Sequence, residues 1–381
     1  MAIDKITTPA IADDAVTNAK VSYNNNQFRN IIINGDMSIA QRGTSFAAAN
    51  DDDYTLDRFK YDISGTDVYQ FTISQDTDVP TGQGFAKSMK FDCTTADTSL
   101  DADNYAIIHT RIEGQNLQYL KKGTSNAEST TISFWVKTNK TGTYIVELQD
   151  SDNNRVICKS YTVSSSSTWE KKTITYPGDT TGAFDNDNAA SLRVNFWLLS
   201  GTAFTSGTLA TDWESRTNAN RAVGQVNLGD NTSNEWYVTG IQLEAGSVAS
   251  DFEFLPFNSN LDKCQRYYYK AGYNPATNGD NTASAQRLLT GMRNHQAGSD
   301  CFFQIQTPSQ MRTAPSVAYN NINLRIELTN YTISSFAAIK QFGPIISFTI
   351  NASSTISEAD ENAIQIRFTG TEGYVALSSE L

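Results

Sequence analysis

The sequence predicts an all-β protein: an N-terminal extended arm, an antiparallel β-sandwich of jelly-roll type, and a smaller C-terminal β domain. Three observations predict it. Thr, Ser, Asn, Asp and Gly are abundant, charged residues are only 18% and aromatics reach 11%, with 17 Tyr and 19 Phe. Segments rich in β-branched and aromatic residues alternate in polarity along most of the chain, as half-buried strands do. Polar turn clusters, SDNN (151–154), PGDTTG (177–182), DNDN (185–188) and GDNTSN (229–234), separate those segments. A strand roughly every ten to fifteen residues, with such turns between, is what a sandwich or jelly roll requires.

Residues 1–29 stand apart. ITTPAIADDAVTNAKVSYNNNQF is small and polar, with one Pro and a run of Asn. It cannot bury a core alone and reads as an arm ordered only against a partner. NIIINGDMSIAQRGTSF (30–46) comes next. Asn-Gly between apolar runs is a strong hairpin signal. Its apparent partner, WYVTGIQLEAG, lies about two hundred residues on, so Asn34-Gly35 reads as a bulge or bend in the first sandwich strand. Strands are then expected at VYQFTIS (68–74), GFAKSMKFDCT (84–94), YAIIHTRIE (105–113), TISFWVKTN (131–139) and GTYIVELQD (142–150). RVICKSYTV (155–163), EKKTITYP (170–177), SLRVNFWLLS (191–200) and NEWYVTGIQLE (234–244) continue the series. Most have a single apolar face, so the sheets should be antiparallel. The sandwich is expected to span 30–256. NLDKCQRYYYKAG (260–272) begins with a helical turn near Asp262, and further strands and turns make 257–381 the second β domain.

Charge excludes some functions. At 381 residues the chain is long enough for two domains, and its net charge is -12. An acidic surface disfavours nucleic acid and anionic membrane as partners. No apolar run approaches the ~20 residues of a membrane span, and the N-terminus lacks a secretory pattern. Cys93, Cys158, Cys264 and Cys301 are far apart with no C-x-x-C pair. They read as buried thiols rather than a zinc site, although one or two disulfides remain arithmetically open.

Catalysis has little support. The two histidines are His109 and His295, and His109 sits at a strand position, where it packs or faces solvent. No nucleophile elbow, zincin motif or phosphate loop is present. No cofactor is expected. A structural calcium is the one metal considered, because Asp51-Asp52-Asp53 and the DNDN loop offer carboxylate oxygens. Sugar recognition needs aromatic faces flanked by hydrogen-bonding groups. Trp213, in a long polar loop, and Trp169, after a serine run, are the candidate exposed platforms. Trp135 and Trp197 lie inside strands and should be core, and Trp236 is ambiguous. Tyr267, Tyr268, Tyr269 and Tyr273 form an aromatic cluster that serves equally as a sugar platform or a subunit contact.

Several segments resemble bacteriophage tail fibres. ITTPAIADDAVTNAKV is similar to short arm segments of such fibres. The pair NIIINGDMSIAQRGTSF and WYVTGIQLEAGSVASDFEFLP resembles the first and last strands of jelly-roll modules in phage tail proteins. LDKCQRYYYKAG followed by MRTAPSVAY, and the ending YVALSSEL, resemble the C-terminal parts of many fibre proteins. The resemblance implies a tail-located virion protein that binds a receptor, usually as a homotrimer. Its arm would attach to other tail proteins through Ile6, Ile11, Val16 and Val21, and its β domains would meet host glycan or protein. The NGD and QLE pair also resembles the ends of carbohydrate-binding jelly rolls, which carry a structural calcium there. That resemblance implies Asn34, Asp36 and Glu244 as metal ligands, although MSIAQRG replaces the usual glycine-rich, acidic continuation. A purely structural virion protein (tail adaptor, tip or head fibre), a glycan depolymerase and a secreted carbohydrate-binding module are the rival readings.

Overall fold

The computed structural model describes residues 29–65, 68–272, 287–293, 300–326, 329–354, 364–368 and 373–381. Strands dominate it. Those of the first unit are β1 (Ser45–Phe46), β2 (Asp53–Tyr54), β3 (Lys60–Ser64), β4 (Gln70–Asp76), β5 (Ser88–Thr95), β6 (Tyr105–Glu113) and β7 (Thr130–Thr138). β8 (Gly142–Asp150), β9 (Arg155–Val163), β10 (Glu170–Tyr176), β11 (Ala190–Ser200), β12 (Glu214–Ser215) and β13 (Glu235–Ala245) complete it. They form a six-stranded sheet, β1-β4-β5-β13-β7-β10, and a seven-stranded sheet, β12-β9-β8-β11-β6-β3-β2. The strand pairs among the described residues are antiparallel, such as β11 with β6 and β13 with β7. The sandwich is thus an antiparallel one whose neighbouring strands are often distant in sequence.

Alternation decides which residues fill the space between the sheets. Phe71, Phe91, Phe134, Phe196 and Trp236 point inward and are buried. Their rings meet edge to face or tilted, Phe91 on Trp236 at 5.8 Å and Phe134 on Phe196 at 5.1 Å, the geometry that aromatic quadrupoles favour. Because Phe134 and Val136 take the core side of β7, Trp135 between them faces outward and is half-buried. It is therefore not the core residue its strand position suggested. Trp197 and Trp236 are fully buried.

Turn chemistry sets the hairpins. β8 and β9 meet in register from Gly142↔Val163 to Asp150↔Arg155. At the turn between them, Asp150 Oδ1 accepts the main-chain N–H groups of Asp152 and Asn153, both at 3.0 Å. Asn154, at φ 52°, supplies the left-handed residue that closes it.

Most of the segment expected as the first strand is not a strand, and only Ser45–Phe46 at its end pairs, as β1. Residues 32–36 turn, with Asn34 at φ 62° and Met37 N–H donating to Asn34 O at 3.0 Å. The Asn34 side chain is buried and holds the turn: Nδ2 donates to the carbonyls of Ile39 and Asp57, and Oδ1 accepts from Ile39 N–H, each at 2.9 Å. A β conformation at Asn34 would break all three bonds. The adjacency to WYVTGIQLE is present, carried by Ile31 N–H to Leu243 O and Ile241 N–H to Gly35 O, both 2.9 Å. Gly35 allows that approach, since a Cβ there would lie 2.0 Å from Ile241 O.

Two short helices, α1 (Thr202–Thr205) and α2 (Phe257–Gln265), interrupt the strands. No described helix is long and apolar enough to cross a membrane. After α2 come β14 (Tyr268–Gly272), β15 (Arg287–Arg293), β16 (Asp300–Gln306), β17 (Ser316–Asn320), β18 (Ile322–Ile326), β19 (Thr329–Phe342), β20 (Ile345–Ala352), β21 (Ile364–Phe368) and β22 (Tyr374–Ser378). Six of these close a barrel, β15-β16-β20-β19-β18-β21, while β22 pairs between β14 and β17 in a three-stranded sheet. A second apolar core, including Phe303, Phe348, Leu324 and Leu377, fills this part. Cys93, Cys158 and Cys264 are buried free thiols, and Cys301 is also buried.

Candidate functional site

The seven-stranded sheet has two populated faces. Ile108, Val146, Leu148, Val194 and Phe196 point into the sandwich core. The residues between them point the other way, and there Ile107, Ile145, Val156, Cys158 and Trp197 form a separate apolar cluster. The segment 201–226 covers part of this second face by inserting Phe204, Ala210 and Ala222 into it. Main-chain bonds fix the cover: Cys158 N–H to Ala210 O at 2.7 Å, Ala222 N–H to Phe204 O at 2.9 Å and Val226 N–H to Thr143 O at 3.0 Å.

Where the cover stops, a groove of about 260 Å³ opens, with Asp62, Tyr105, Gln149, Trp197, Arg193, Arg216 and Arg221 among its lining. The register of three strands builds it. Asn195 lies opposite His109 on β6 and Glu147 on β8, and Arg193 lies opposite Arg111 and Gln149. Alternation then stacks Arg193, Asn195 and Trp197 along one face of β11.

The floor is a buried polar network. Glu147 is fully buried and accepts Arg221 in a two-point pair, Nε at 2.9 Å and Nη2 at 3.1 Å. Trp197 Nε1 donates to the same carboxylate at 2.8 Å. Gln149 Oε1 accepts from Arg221 Nη2 at 3.5 Å and Asn195 Nδ2 at 3.4 Å. On the other side Arg193 Nη2 donates to Asp62 Oδ2 at 2.6 Å, and His109 Nε2 lies 3.1 Å from Asp62 Oδ1. Burial pushes the His109 imidazole down to about 3, outweighing the upward pull of Asp62, so it sits neutral against that carboxylate. For Asp62, burial acts to raise the pKa, but the adjacent His109 imidazole and the Arg193 charge and hydrogen bond hold it well below the usual carboxylate range. Tyr105 is half-buried and presents its ring to the groove, set edge-on against Trp197 at 6.4 Å and Phe204 at 5.4 Å.

The residues singled out in sequence lie elsewhere. Trp213 is half-buried against the main core, its Nε1 donates to Pro177 O at 2.9 Å, and Lys122 Nζ stands 5.3 Å from its ring. It anchors its own loop. Trp169 is half-buried on the six-stranded sheet, donating to Asp78 Oδ1 at 2.9 Å and meeting Tyr237 at 6.2 Å. Tyr267 and Tyr268 are buried where the sandwich meets the second core, so neither is an exposed platform. The Arg58 guanidinium lies 3.5 Å from the Tyr267 ring centre and the Arg42 guanidinium 3.6 Å from that of Tyr268. Tyr267 Oη donates to buried Glu113, which also accepts Arg266 in a two-point pair at 2.8 Å. Burial raises the Tyr268 phenol to about 12. Tyr269 is half-buried and packs on the second core. The same junction clasps residues 379–381: Arg312 donates to Ser379 O and Glu380 O, Arg58 and Arg42 pair with Glu380, and Tyr54 and Arg111 donate to Leu381 O. Tyr273 and the arm positions Ile6, Ile11, Val16 and Val21 lie outside the described residues.

The residues implied as metal ligands already accept hydrogen bonds. Asp36 Oδ1 takes Ser38 Oγ and Asn260 Nδ2, each at 3.0 Å. Glu244 takes Gln242 Nε2 at 2.9 Å, Ser250 N–H at 2.8 Å and Ser250 Oγ at 2.7 Å. Asn34 is spent on its turn, as described above. In the acidic run, Asp51 caps Ile63 N–H at 2.9 Å and Asp53 caps Asn50 N–H at 2.8 Å. Among the described residues no three His, Cys, Asp or Glu side chains converge as metal donors.

A scan against protein-family models found no match, and neither did a search of curated proteins. Among solved structures, the chain is similar to the enzymatically active domain of tailspike protein 4 of bacteriophage CBA120, at 13% identity and TM-score 0.30 over 57% of this chain and 21% of that one. It is similar to a family 4 carbohydrate-binding module at 14% identity and TM-score 0.29, over 56% of this chain and 97% of that one. It is also similar to the family 11 carbohydrate-binding module of a cellulosomal cellulase of Clostridium thermocellum, at 14% identity and TM-score 0.28, over 54% and 97% of the two chains. This chain thus spans about a fifth of the tailspike domain it resembles. The all-β architecture rests on the strands themselves.

The groove residues carried a signal in the sequence that went unused. KYDIS, YAIIHTRIE, GTYIVELQD and SLRVNFWLLS each place charged or amide residues two apart on the side opposite the core, at Lys60 and Asp62, His109 and Arg111, Glu147 and Gln149, Arg193 and Asn195. Four strands with polar pairs of this kind mark one shared polar face. Glu147, His109 and Asn195 are nonetheless buried, and for Glu147 the covering segment supplies the partner, Arg221.

Proposed function

We propose that this chain is a carbohydrate-binding virion protein, a tail fibre that adsorbs to host-surface glycan through the groove on the seven-stranded sheet. The observation that carries the glycan reading is the groove's lining: the Tyr105 ring beside fixed amide and guanidinium groups, on a rigid sheet. Sugars are held by C–H faces on aromatic rings and by in-plane hydrogen bonds from such groups. The reading is one of binding without chemistry. Both groove carboxylates, Asp62 and Glu147, are tied to arginine, which leaves no free acid and base pair of the kind glycoside hydrolysis needs. The tail-fibre part rests on the sequence segments that resemble fibre arms and C-terminal parts. A homotrimer presenting three grooves would gain avidity from repetition alone.

Binding of the purified protein to host cells, with Tyr105→Ala as the matched variant, tests the glycan reading. The variant is expected to lose adsorption while still folding cooperatively, its melting temperature lowered only by the lost packing on Trp197 and Phe204. Equal adsorption by both proteins refutes the groove as the receptor site. Antibody labelling of intact particles away from the tail, or at no part of the virion, refutes the fibre assignment. Light scattering that returns the 41.9 kDa monomer at micromolar concentration refutes the trimer.

A further inference from the structure

We infer that the glycan taken by this groove is an acidic one, with a carboxylated sugar residue at the Arg193, Arg216 and Arg221 side; this rests on the groove being the glycan site. The argument is a count of charges and of donors. The charged side chains in the lining are Asp62 and three arginines. Asp62 balances Arg193, and Glu147 beneath the floor balances Arg221. Arg216 has no carboxylate within ion-pair distance among the described residues. Its main chain is nonetheless fixed, because its N–H donates to Asn154 O at 2.9 Å and the adjoining β12 pairs with β9, and its side chain is exposed at the rim. In a chain of net charge -12, an uncompensated guanidinium on a rigid rim is a local reversal of sign.

The donor count points the same way. Arg193 uses Nη2 on Asp62, while its Nε is buried without a partner among the described residues. Arg221 spends Nε and Nη2 on Glu147 and leaves Nη1 outside that pair. The lining offers few acceptors: Asp62 Oδ2 is taken by Arg193 and Gln149 Oε1 by Arg221 and Asn195, while Asp62 Oδ1 lies 3.1 Å from His109 Nε2 without a hydrogen bond to it. Neutral sugar hydroxyls donate as well as accept, and this lining offers their protons fewer acceptors than it offers donors. A carboxylate only accepts, and the planar guanidinium fork matches its two oxygens. At about 260 Å³ the groove suits one such residue with its glycan running on over the surface.

The test is a bacterial glycan array carrying carboxylated glycans, their carboxyl-reduced neutral counterparts, and sulfated and phosphorylated glycans. Hits are followed by calorimetry at 50 and 300 mM NaCl. Carboxylated glycans are expected to bind, to lose about tenfold or more on carboxyl reduction, and to weaken with salt. Arg216→Glu is expected to lose about tenfold or more at unchanged melting temperature, and Arg216→Lys to lose less. Equal binding of the reduced glycans, with Arg216→Glu silent, overturns the acidic class and leaves the groove reading standing. Hits confined to sulfated or phosphorylated glycans overturn the carboxylate and keep the anion. Binding to no glycan on the array overturns both readings.

Discussion

The Glu147–Arg221 pair is where the covering segment is pinned to the sheet, and cutting it should unpin the groove wall. Glu147 is fully buried and the Arg221 side chain is 10% exposed, so solvent screens the pair little. Arg221 closes a short turn at Asn218–Asn220, and its two-point bond to Glu147 ties that turn to β8. Arg221→Met keeps the length and apolar stem of the side chain while removing its charge. The buried carboxylate is then left with the single Trp197 Nε1 donor at 2.8 Å. Removing one partner of a buried pair costs about 3–5 kcal/mol. The retained indole bond places this case near ~3 kcal/mol. A unit of this size loses about 2–4 °C per kcal/mol, so the melting temperature should fall by about 6–12 °C.

A double-mutant cycle separates the pair from the individual side chains. Glu147→Gln removes the charge but keeps an acceptor for Trp197. Glu147→Gln with Arg221→Met removes both charges, and such double removal is often near neutral when packing survives. The double variant should therefore recover to within about 1–2 kcal/mol of the parent, with a coupling energy of at least ~1.5 kcal/mol. Urea titrations of the four proteins at pH 7, followed by tryptophan emission, give these values. An Arg221→Met protein melting within about 2 °C of the parent, or a coupling below about 0.5 kcal/mol, refutes the pair as the anchor of the wall.

Other outcomes follow from the same contacts. His109 has a folded pKa of about 3, below its unfolded ~6.5, so the unfolded chain takes up the proton first. Its contribution is complete above about pH 6.5 and is lost toward pH 3, at up to about 1.4 kcal/mol per unit. Denaturant titrations at pH 6.5, 5.5 and 4.5 should show a shallower acid slope for His109→Gln, and equal slopes would refute this account. Trp213→Ala should lower the melting temperature by about 2 kcal/mol equivalent while leaving glycan binding intact, because the indole packs on the core and bonds Pro177 O. Reduced binding at unchanged melting would return it to the role of platform. Tyr267→Phe removes a donor from buried Glu113 and should cost about 1–2 kcal/mol. Limited proteolysis at the sandwich–barrel junction should quicken, and an unchanged cleavage rate would refute its role as a tie.

The strands were legible because their period is two and their breaks carry turn residues. The hairpin SDNN is an example, where Asp150 and Asn154 each do what their side chains allow. The stretch at Asn34-Gly35 was misjudged for a physical reason. Its three isoleucines have strand propensity, yet the buried Asn34 side chain satisfies three main-chain groups that a strand would leave for another partner. Tertiary hydrogen bonding outweighed local preference. The tyrosine run failed similarly as a platform. No local pattern shows that Arg42 and Arg58, over two hundred residues earlier, cover Tyr268 and Tyr267.

The groove was hidden by a different cause. A strand with charges on its second face ordinarily reads as solvated, and the chain's many acidic turns reinforce that reading. Glu147 is buried where residues 201–226 fold back over the sheet with Phe204, Ala210 and Ala222 as pegs, while Asp62 and Arg193 stand beside buried His109. Burying these polar groups is costly unless they are paired, and the sheet pairs Glu147 and Asp62 with arginines, one from the cover and one from β11 itself. The pairing spends Asp62 Oδ2 and both Glu147 oxygens on arginines and leaves other donors of Arg193 and Arg221 outside those pairs. Covering the sheet and choosing an acceptor-rich ligand are therefore one consequence of the same arrangement. A cover held instead by apolar contacts alone would leave a groove with no such preference.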